Sequence, residues 1–187
     1  GTRLEAPQLA AAVATGHGTL AVRPKPRVAV ISTGSELTEP GHPLAPGMIP
    51  DSNGLMLAAL CERWGAQCVC TMRVDDNPDN LVRALREAAS QADLVVTSGG
   101  VSAGAFDPLK ALADQAVDGI NLGFDKLALQ PGKPQGHGTI ADGQRQVPLV
   151  CLPGNPVSVL VCFTLIVVPV LAALDGRAQV LAWGQGV

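Results

Sequence analysis

The sequence predicts an α/β domain of three layers, α/β/α, with helices on both faces of a mostly parallel, mixed sheet. Apolar runs of strand length alternate along the 187 residues with segments that have helical spacing. Hydrophobic residues make up 47% of the chain and charged residues 16%, a balance that is typical of a folded domain rather than a disordered chain. The 21 glycines and 15 prolines cluster in short loops between the apolar runs, as the connections of such a domain require.

The first 26 residues are predicted to be the remnant of a preceding region or a linker, because they are too short to bury a face of their own. We expect a helix over residues 7–14, a turn at 16–18 and a short apolar strand before Pro24. The α/β domain is expected to cover residues 27–176. Residues 177–187 are expected to start a C-terminal region that is missing from the chain.

Strands are predicted where an apolar run is bounded by glycine or proline, and helices where apolar residues recur every three or four positions. The predicted strands are 27–32, 67–72, 93–98 and 147–152, with a short one at 126–129. The predicted helices are 53–64, 78–91 with Asn77 as its cap, 108–116, and a last helix that Asn155 and Pro156 open. Residues 157–174 of that last helix are apolar enough for a membrane span, but Pro169 and the lack of flanking aromatic anchors favour a buried core helix.

Charge and cysteine content exclude several classes of function. The net charge is −3 and no stripe of Lys or Arg is present, so we expect no nucleic-acid partner. The five cysteines contain no C-x-x-C pair, and their odd number suits reduced thiols in a cytoplasmic protein without a zinc site. No secretory signal is visible at the start, and no membrane partner is expected.

Four predicted strands are each followed by a loop of small and polar residues, and the carboxyl ends of parallel strands meet at one edge of a sheet. These loops are residues 32–36, 73–76, 97–107 and 152–156. Glycine lets backbone N–H groups approach an anion, and a helix N-terminus adds partial positive charge. The carboxylates of Asp75, Asp76 and Asp107 would repel a bare phosphate, and a divalent cation such as Mg²⁺ removes that conflict. The simpler interpretation is that the glycines make ordinary turns and the charges are solvated.

Taken together, five motifs resemble the MoeA family of molybdopterin molybdenumtransferases, which includes the gephyrin E-domain. The motifs are STGSEL (32–37), PGMIPDSN (46–53), TSGGVSAGAFD (97–107), QPGKP (130–134) and LPGNPVS (152–158). The resemblance implies the molybdenum-cofactor-biosynthesis type of α/β domain. It also implies that molybdate is inserted into adenylylated molybdopterin with release of AMP, that Mg²⁺ assists, and that the full-length protein is a homodimer.

The resemblance also implies roles for individual residues. The catalytic residues that the resemblance implies are Asp107, Asp76, Glu36 and Lys126. Of these, Asp107 and Asp76 would bind the metal, and Asp75 is an alternative to Asp76. Lys133 and Ser158 match positions near the molybdate. The expected substrate-binding residues are Thr33, Gly34, Ser98, Gly99, Gly100, Ser102, Gly104, Pro153, Gly154, Asn155 and Pro156.

The sequence departs from the family pattern at Gln130, where a lysine is frequent, and at Ser35, where an aspartate is frequent. The loss of a positive charge at Gln130 predicts weaker oxyanion binding. Family members also carry further domains, so the chain is expected to be a domain fragment. Two alternatives stay open: a MogA-type molybdopterin adenylyltransferase, which typically carries a TGGTG-like loop at 98–102, and a non-catalytic scaffold of the gephyrin type.

Overall fold

The structure, a computed structural model, describes residues 4–101 and 108–176. A π-helical segment, Phe163–Val167, joins the last two helices into one continuous helix. In chain order the elements are α1 (Ala6–Ala14), β1 (Arg27–Thr33), β2 (Leu37–Thr38), β3 (Ile49–Pro50), α2 (Asn53–Arg63), β4 (Gln67–Val74), α3 (Pro78–Gln91), β5 (Leu94–Ser98), α4 (Pro108–Asp114), β6 (Ile120–Lys126), β7 (Pro134–Asp142), β8 (Arg145–Leu152), α5 (Pro156–Cys162) and α6 (Val168–Leu174).

Six of the strands form one mixed sheet in the order β4-β1-β5-β8-β7-β6. Strands β4, β1, β5 and β8 are parallel to one another, whereas β7 runs antiparallel to both β8 and β6. Five strands therefore point the same way and end at the same edge. The short strands β2 and β3 form a separate parallel pair. The predicted mostly parallel, mixed sheet is confirmed.

Helices cover both faces of this sheet, which confirms the three-layer class. Along β1, Ala29 and Ile31 pack into the core cluster on the α3 face, whereas Val28 and Val30 pack into the cluster on the opposite face. All four side chains are fully buried. An unbroken apolar run is what a strand with both faces covered requires.

The last helix packs against the sheet along part of its surface. By length and composition Pro156–Leu174 is apolar enough to cross a membrane, but 44% of its most apolar window is buried inside the protein. Phe163 is fully buried in the core cluster. Pro169 cannot donate a hydrogen bond to the preceding turn, and the π-helical segment lies immediately before the turn that contains it.

Helix α1 forms as predicted, but none of its residues is buried. The short strand expected before Pro24 is absent from the described residues, and that prediction was wrong. Leu20 and Val22 are exposed there, so no partner strand or core stabilises an extended pairing.

The second half of the sheet also differs from the prediction. The strand expected at residues 126–129 lies earlier, at Ile120–Lys126, and β7 was not predicted. Glycine weakens strands, so Gly136 and Gly138 concealed β7 in the sequence. A Cβ on Gly138 would collide with the backbone carbonyl of Asn121, so close packing of β6 and β7 requires glycine at that position.

An ion-pair cluster joins the amino ends of β1, β5 and β8. The Asp93 carboxylate accepts hydrogen bonds from Arg27 Nη2 at 2.8 Å and Arg27 Nε at 3.2 Å, and Arg145 Nη2 lies 3.4 Å from it. The hydrogen bonds from Arg27 hold the pKa of Asp93 below its ordinary value of 3.8. The cluster therefore ties three strands together at the edge opposite their carboxyl ends.

We expect Asp93→Asn to lower the free energy of unfolding at pH 7 by about 1 kcal/mol, because this partly exposed pair is screened by solvent. The folded-state pKa of Asp93 lies below its ordinary value of 3.8, so its contribution is fully present above that ordinary value and is lost as the pH falls through the lower, folded-state pKa. Urea unfolding of both proteins between pH 7 and pH 2 measures this difference, with the exposed Asp114→Asn as a control. A difference that stayed constant down to pH 2 would contradict the assignment.

Candidate functional site

A cleft of about 500 Å³ lies at the carboxyl edge of the sheet. The loops after β1, β4, β5 and β8 all reach it, together with the segment from β3 to α2. The convergence that the sequence predicted is therefore confirmed for the described residues. The cleft is lined by Thr33, Gly34, Glu36, Leu37, Ile49, Pro50, Asp51, Ser52, Asn53, Asp76, Ser98, Gly99, Gly100, Val101, Pro108, Pro134, Pro153, Gly154, Asn155 and Pro156.

The loops after β1 and β4 are held together by reciprocal hydrogen bonds. The backbone N–H of Ser35 donates to Asp76 Oδ2 at 3.1 Å, and the backbone N–H of Asp76 donates to Ser35 Oγ at 3.1 Å. Serine thus accepts a hydrogen bond where the family often has an aspartate. The pair fixes Asp76 at the rim of the cleft.

The loop after β5 passes very close to the loop after β1. Gly99 has φ +91° and Gly100 has φ +65°, values that favour glycine. A Cβ on Gly99 would collide with the Thr33 carbonyl oxygen and would lie 2.9 Å from Thr33 Oγ1. The Gly99 Cα is also 3.5 Å from the position that a Cβ on Gly154 would take, so the loop after β8 meets the same point.

The start of α2 closes the cleft on another side. Asn53 Nδ2 donates to the Gly154 carbonyl oxygen at 2.8 Å, which ties α2 to the loop after β8. The carboxylate of Asp51 is buried, and its Oδ1 accepts the N–H of Gly54 at 3.0 Å. The first turn of α2 is therefore a rigid wall of the cleft.

Several buried polar atoms around the cleft have no hydrogen-bond partner within the described part of the chain. These atoms include Ser98 Oγ and Asn53 Oδ1 in the cleft lining, and Ser32 Oγ and Thr97 Oγ1 near the ends of β1 and β5. An unpaired buried polar group costs about 1–3 kcal/mol, so native proteins usually satisfy such groups with water or a ligand. Ser98 Oγ and Asn53 Oδ1 are therefore polar atoms that a ligand or a water molecule in the cleft could satisfy.

The cleft carries negative charge. Its lining includes the carboxylates of Glu36, Asp51 and Asp76, and no Lys, Arg or His is among the described residues that form it. Within residues 4–101 and 108–176, no group of three His, Cys, Asp or Glu side chains could by itself hold a metal ion. These carboxylates would repel a bare phosphate.

Most of the predicted substrate-binding residues lie in the cleft. These residues are Thr33, Gly34, Ser98, Gly99, Gly100, Pro153, Gly154, Asn155 and Pro156. Of the predicted catalytic residues, Glu36 and Asp76 line the cleft. Ser102, Gly104 and Asp107 lie outside the residues that the structure describes.

The structure separates Asp75 from Asp76. Asp75 accepts hydrogen bonds from Asn80 Nδ2 at 2.9 and 3.0 Å and lies in a different hollow, between β4 and α3. Only Asp76 of this pair lines the cleft. Asp76 therefore has the position that a residue of this cleft requires, whereas its alternative, Asp75, lies outside the cleft.

The predicted lysines and the molybdate serine are not among the lining residues. Lys126 and Lys133 are exposed at the same edge of the sheet, where Lys126 is the register partner of Pro134 in the lining. Ser158 is buried in the first turn of α5, and its backbone N–H donates to Asn155 Oδ1. Asn155 also accepts from Val157, so two N–H groups at this helix end are already bonded.

Sequence reasoning assigned no site role to Asp51, Ser52 and Asn53. Their segment, 46–53, carried the family resemblance, and a polar triplet directly before a helix was a usable signal. It was missed because these residues follow the short strand β3 and not a strand of the main sheet.

The cysteines take no part in the cleft. None of the five forms a disulfide bond, and burial raises the pKa of Cys61 to about 12. Burial also raises the pKa of the Cys68, Cys70 and Cys162 thiols. These thiols stay protonated at neutral pH, and in this state they are poor nucleophiles and poor metal ligands.

A three-layer α/β domain with a polar, glycine-walled cleft at the carboxyl ends of its strands defines a ligand-binding domain of the doubly wound type. Residues 29–173 match the family model described as a probable molybdopterin binding domain. The chain therefore belongs to that family, and the resemblance seen in the sequence is confirmed.

Similar proteins carry consistent names. The chain is 46% identical over 171 residues to molybdopterin molybdenumtransferase 2 of Mycobacterium tuberculosis, covering 90% of this chain and 41% of that protein. It is 38% identical to the molybdopterin molybdenumtransferase of a Nostoc species, covering 95% and 40%. A solved structure of the molybdopterin biosynthesis MoeA protein from Pyrococcus horikoshii superposes with a TM-score of 0.79 at 34% identity, covering 95% and 42%. The chain thus spans about two fifths of the length of these relatives.

We expect Gly99→Ala to lower the free energy of unfolding by about 3 kcal/mol, because backbone strain and the collision with Thr33 both act against it. Gly143→Ala is the matched control. Gly143 has φ +60° but nothing within 4 Å of a new Cβ, so only the backbone cost of about 1 kcal/mol remains. Urea unfolding compares the two variants, and equal losses would show that the loops are not in close contact.

Proposed function

We propose that this domain binds an anionic pterin in the cleft and acts in molybdenum cofactor biosynthesis. In the intact protein, molybdate is inserted into adenylylated molybdopterin and AMP is released. The observation that carries the proposal is the meeting of four strand-end loops at one cleft that holds unpartnered buried polar atoms, above all Ser98 Oγ. The names of the similar proteins support the same reaction.

The residues of the cleft suit a magnesium ion that is shared with a phosphate ligand. Mg²⁺ in such sites binds one or two protein carboxylates and the substrate phosphates, and it does not need a complete protein cage. Asp76, one of the two predicted metal ligands, and Glu36 are the described carboxylates that would hold it, and Asp107 is the other predicted metal ligand. When bound, the ion neutralises charge on the phosphoanhydride that is cleaved.

The remaining residues bind and orient the substrate. The backbones of Gly99, Gly100 and Gly154 allow close approach of a phosphate at the floor of the cleft, and Pro153 and Pro156 stiffen the loop that carries Asn155. The Ser35 hydrogen bonds fix the position of Asp76 before the ligand arrives.

We assign Lys126, Lys133 and Ser158 to molybdate and to charge stabilisation next to the cleft. The two lysines are exposed at the carboxyl edge of the sheet, where the cleft lies, and their long side chains allow them to approach an anion bound there. The full-length protein is proposed to be a cytoplasmic homodimer whose ligands are small molecules and not nucleic acid or a membrane.

We expect Asp76→Asn in the intact protein to reduce the metal-dependent release of AMP from adenylylated molybdopterin by at least about tenfold, because a carboxylate next to the metal is lost. Asp75→Asn is the matched variant. It neutralises the adjacent carboxylate, which is hydrogen-bonded to α3 instead, and should change the rate by less than about twofold.

The assay measures AMP as a function of Mg²⁺ concentration. A rate for Asp76→Asn equal to that of the wild type would refute the role of the cleft carboxylate. Formation of adenylylated molybdopterin from ATP, in place of its consumption, would favour the adenylyltransferase alternative.

A further inference from the structure

The wall of the cleft that is formed by the start of α2 presents hydrogen-bond acceptors and no cation. Asp51 is 8% exposed and lines the cleft, although it is a carboxylate. Its Oδ1 accepts the Gly54 N–H at 3.0 Å, so this oxygen is already used. The second oxygen, Oδ2, remains as an acceptor.

Gly54 keeps space open in front of this carboxylate. A Cβ on Gly54 would lie 2.8 Å from Asp51 Oδ2 and 3.2 Å from Ser32 Oγ. The carboxylate oxygen and the hydroxyl therefore border the same small space, which any other residue at position 54 would fill. Ser32 is fully buried, and its Oγ has no partner among the described residues.

Asn53 adds a second acceptor of known orientation. Its amide nitrogen donates to the Gly154 carbonyl oxygen at 2.8 Å, and a carbonyl can only accept, so the amide oxygen must be the other atom. That oxygen is buried and unpartnered within the described chain, and the residue lines the cleft. Asp51 and Asn53 together offer two acceptors on one wall.

Two acceptors on the same wall favour a ligand edge that has two N–H donors. The 2-amino group and the N3–H of a pterin form such an edge, whereas the equivalent edge of adenine combines one donor with one acceptor. A buried acceptor pair gains most from donors that satisfy both atoms, because an unpaired atom carries the full cost of desolvation.

We propose that Asp51 and Asn53 bind the 2-amino and N3–H edge of the pterin and so favour a pterin over a heterocycle such as adenine, whose equivalent edge carries an acceptor. This inference rests on the proposed function, because it assumes that a pterin is the ligand of the cleft. The phosphate end of the ligand then points to the loops after β5 and β8.

The test compares two fluorescent pteridines that differ at position 2 of the ring. Pterin-6-carboxylate carries the amino donor there, whereas lumazine-6-carboxylate carries a carbonyl acceptor. We expect the intact wild-type protein to bind the pterin at least about tenfold more tightly in fluorescence titrations.

Asp51→Asn is the discriminating variant. Its side-chain oxygen still accepts the Gly54 N–H, while the second position becomes an N–H donor. We expect the preference to disappear or to reverse in favour of the lumazine. Asp79→Asn, which neutralises a carboxylate at the start of α3, should keep the wild-type preference.

A second variant covers the case in which Asp51→Asn does not fold, as judged by circular dichroism. Asn53→Ala removes the other acceptor and should lower the preference by about fivefold. A preference that is unchanged in the folded variants would overturn this inference and leave the proposed function standing. Failure of the wild type to bind either pteridine would overturn both.

Discussion

The contact between the Gly99 backbone and the Thr33 carbonyl determines the geometry of the carboxyl edge of the sheet. No side chain fits between these two loops, and a Cβ on Gly154, in the loop after β8, would be in van der Waals contact with Gly99. Because three loops touch at this point, the ends of β1, β5 and β8 form one continuous floor. Ser98 lies beside that point and presents a buried hydroxyl without a partner in the described residues. The binding properties that we propose for the cleft depend on this close approach.

The two edges of the sheet differ in whether their carboxylates are paired with basic side chains. At the amino edge, the Asp93 carboxylate is paired with Arg27 and Arg145, which stabilises the junction of three strands. At the carboxyl edge, the described lining holds carboxylates and no basic side chain. Pairing at the first edge stabilises the strand junction, whereas the carboxylates at the second edge would suit the cation and the donor-rich ligand that we propose. A pterin that carries a phosphate supplies the donors and a site for the cation.

Local sequence patterns predicted those elements of the fold in which each residue has a single structural role, such as burial in the core or capping of a helix. The apolar run of β1 and the Asn77 cap of α3 are of this kind, and the cap accepts from Asp79 N at 2.9 Å. Strand β7 could not be predicted from local propensity, because glycine weakens a strand pattern. The glycines are present because β6 packs closely against β7. The choice between Asp75 and Asp76 also needed coordinates, because adjacent residues after a strand point to opposite sides and a one-residue shift exchanges them. The wall at Asp51 and Asn53 arises from the small β2–β3 pair, which is too short to show a pattern.

The most direct test of the account is a crystal structure of the intact protein grown with AMP and Mg²⁺. We expect AMP in the cleft, with its phosphate beside the backbones of Gly99 and Gly100 and the metal on Asp76. Well-ordered AMP bound only outside the cleft would contradict the claim that these loops form the binding site.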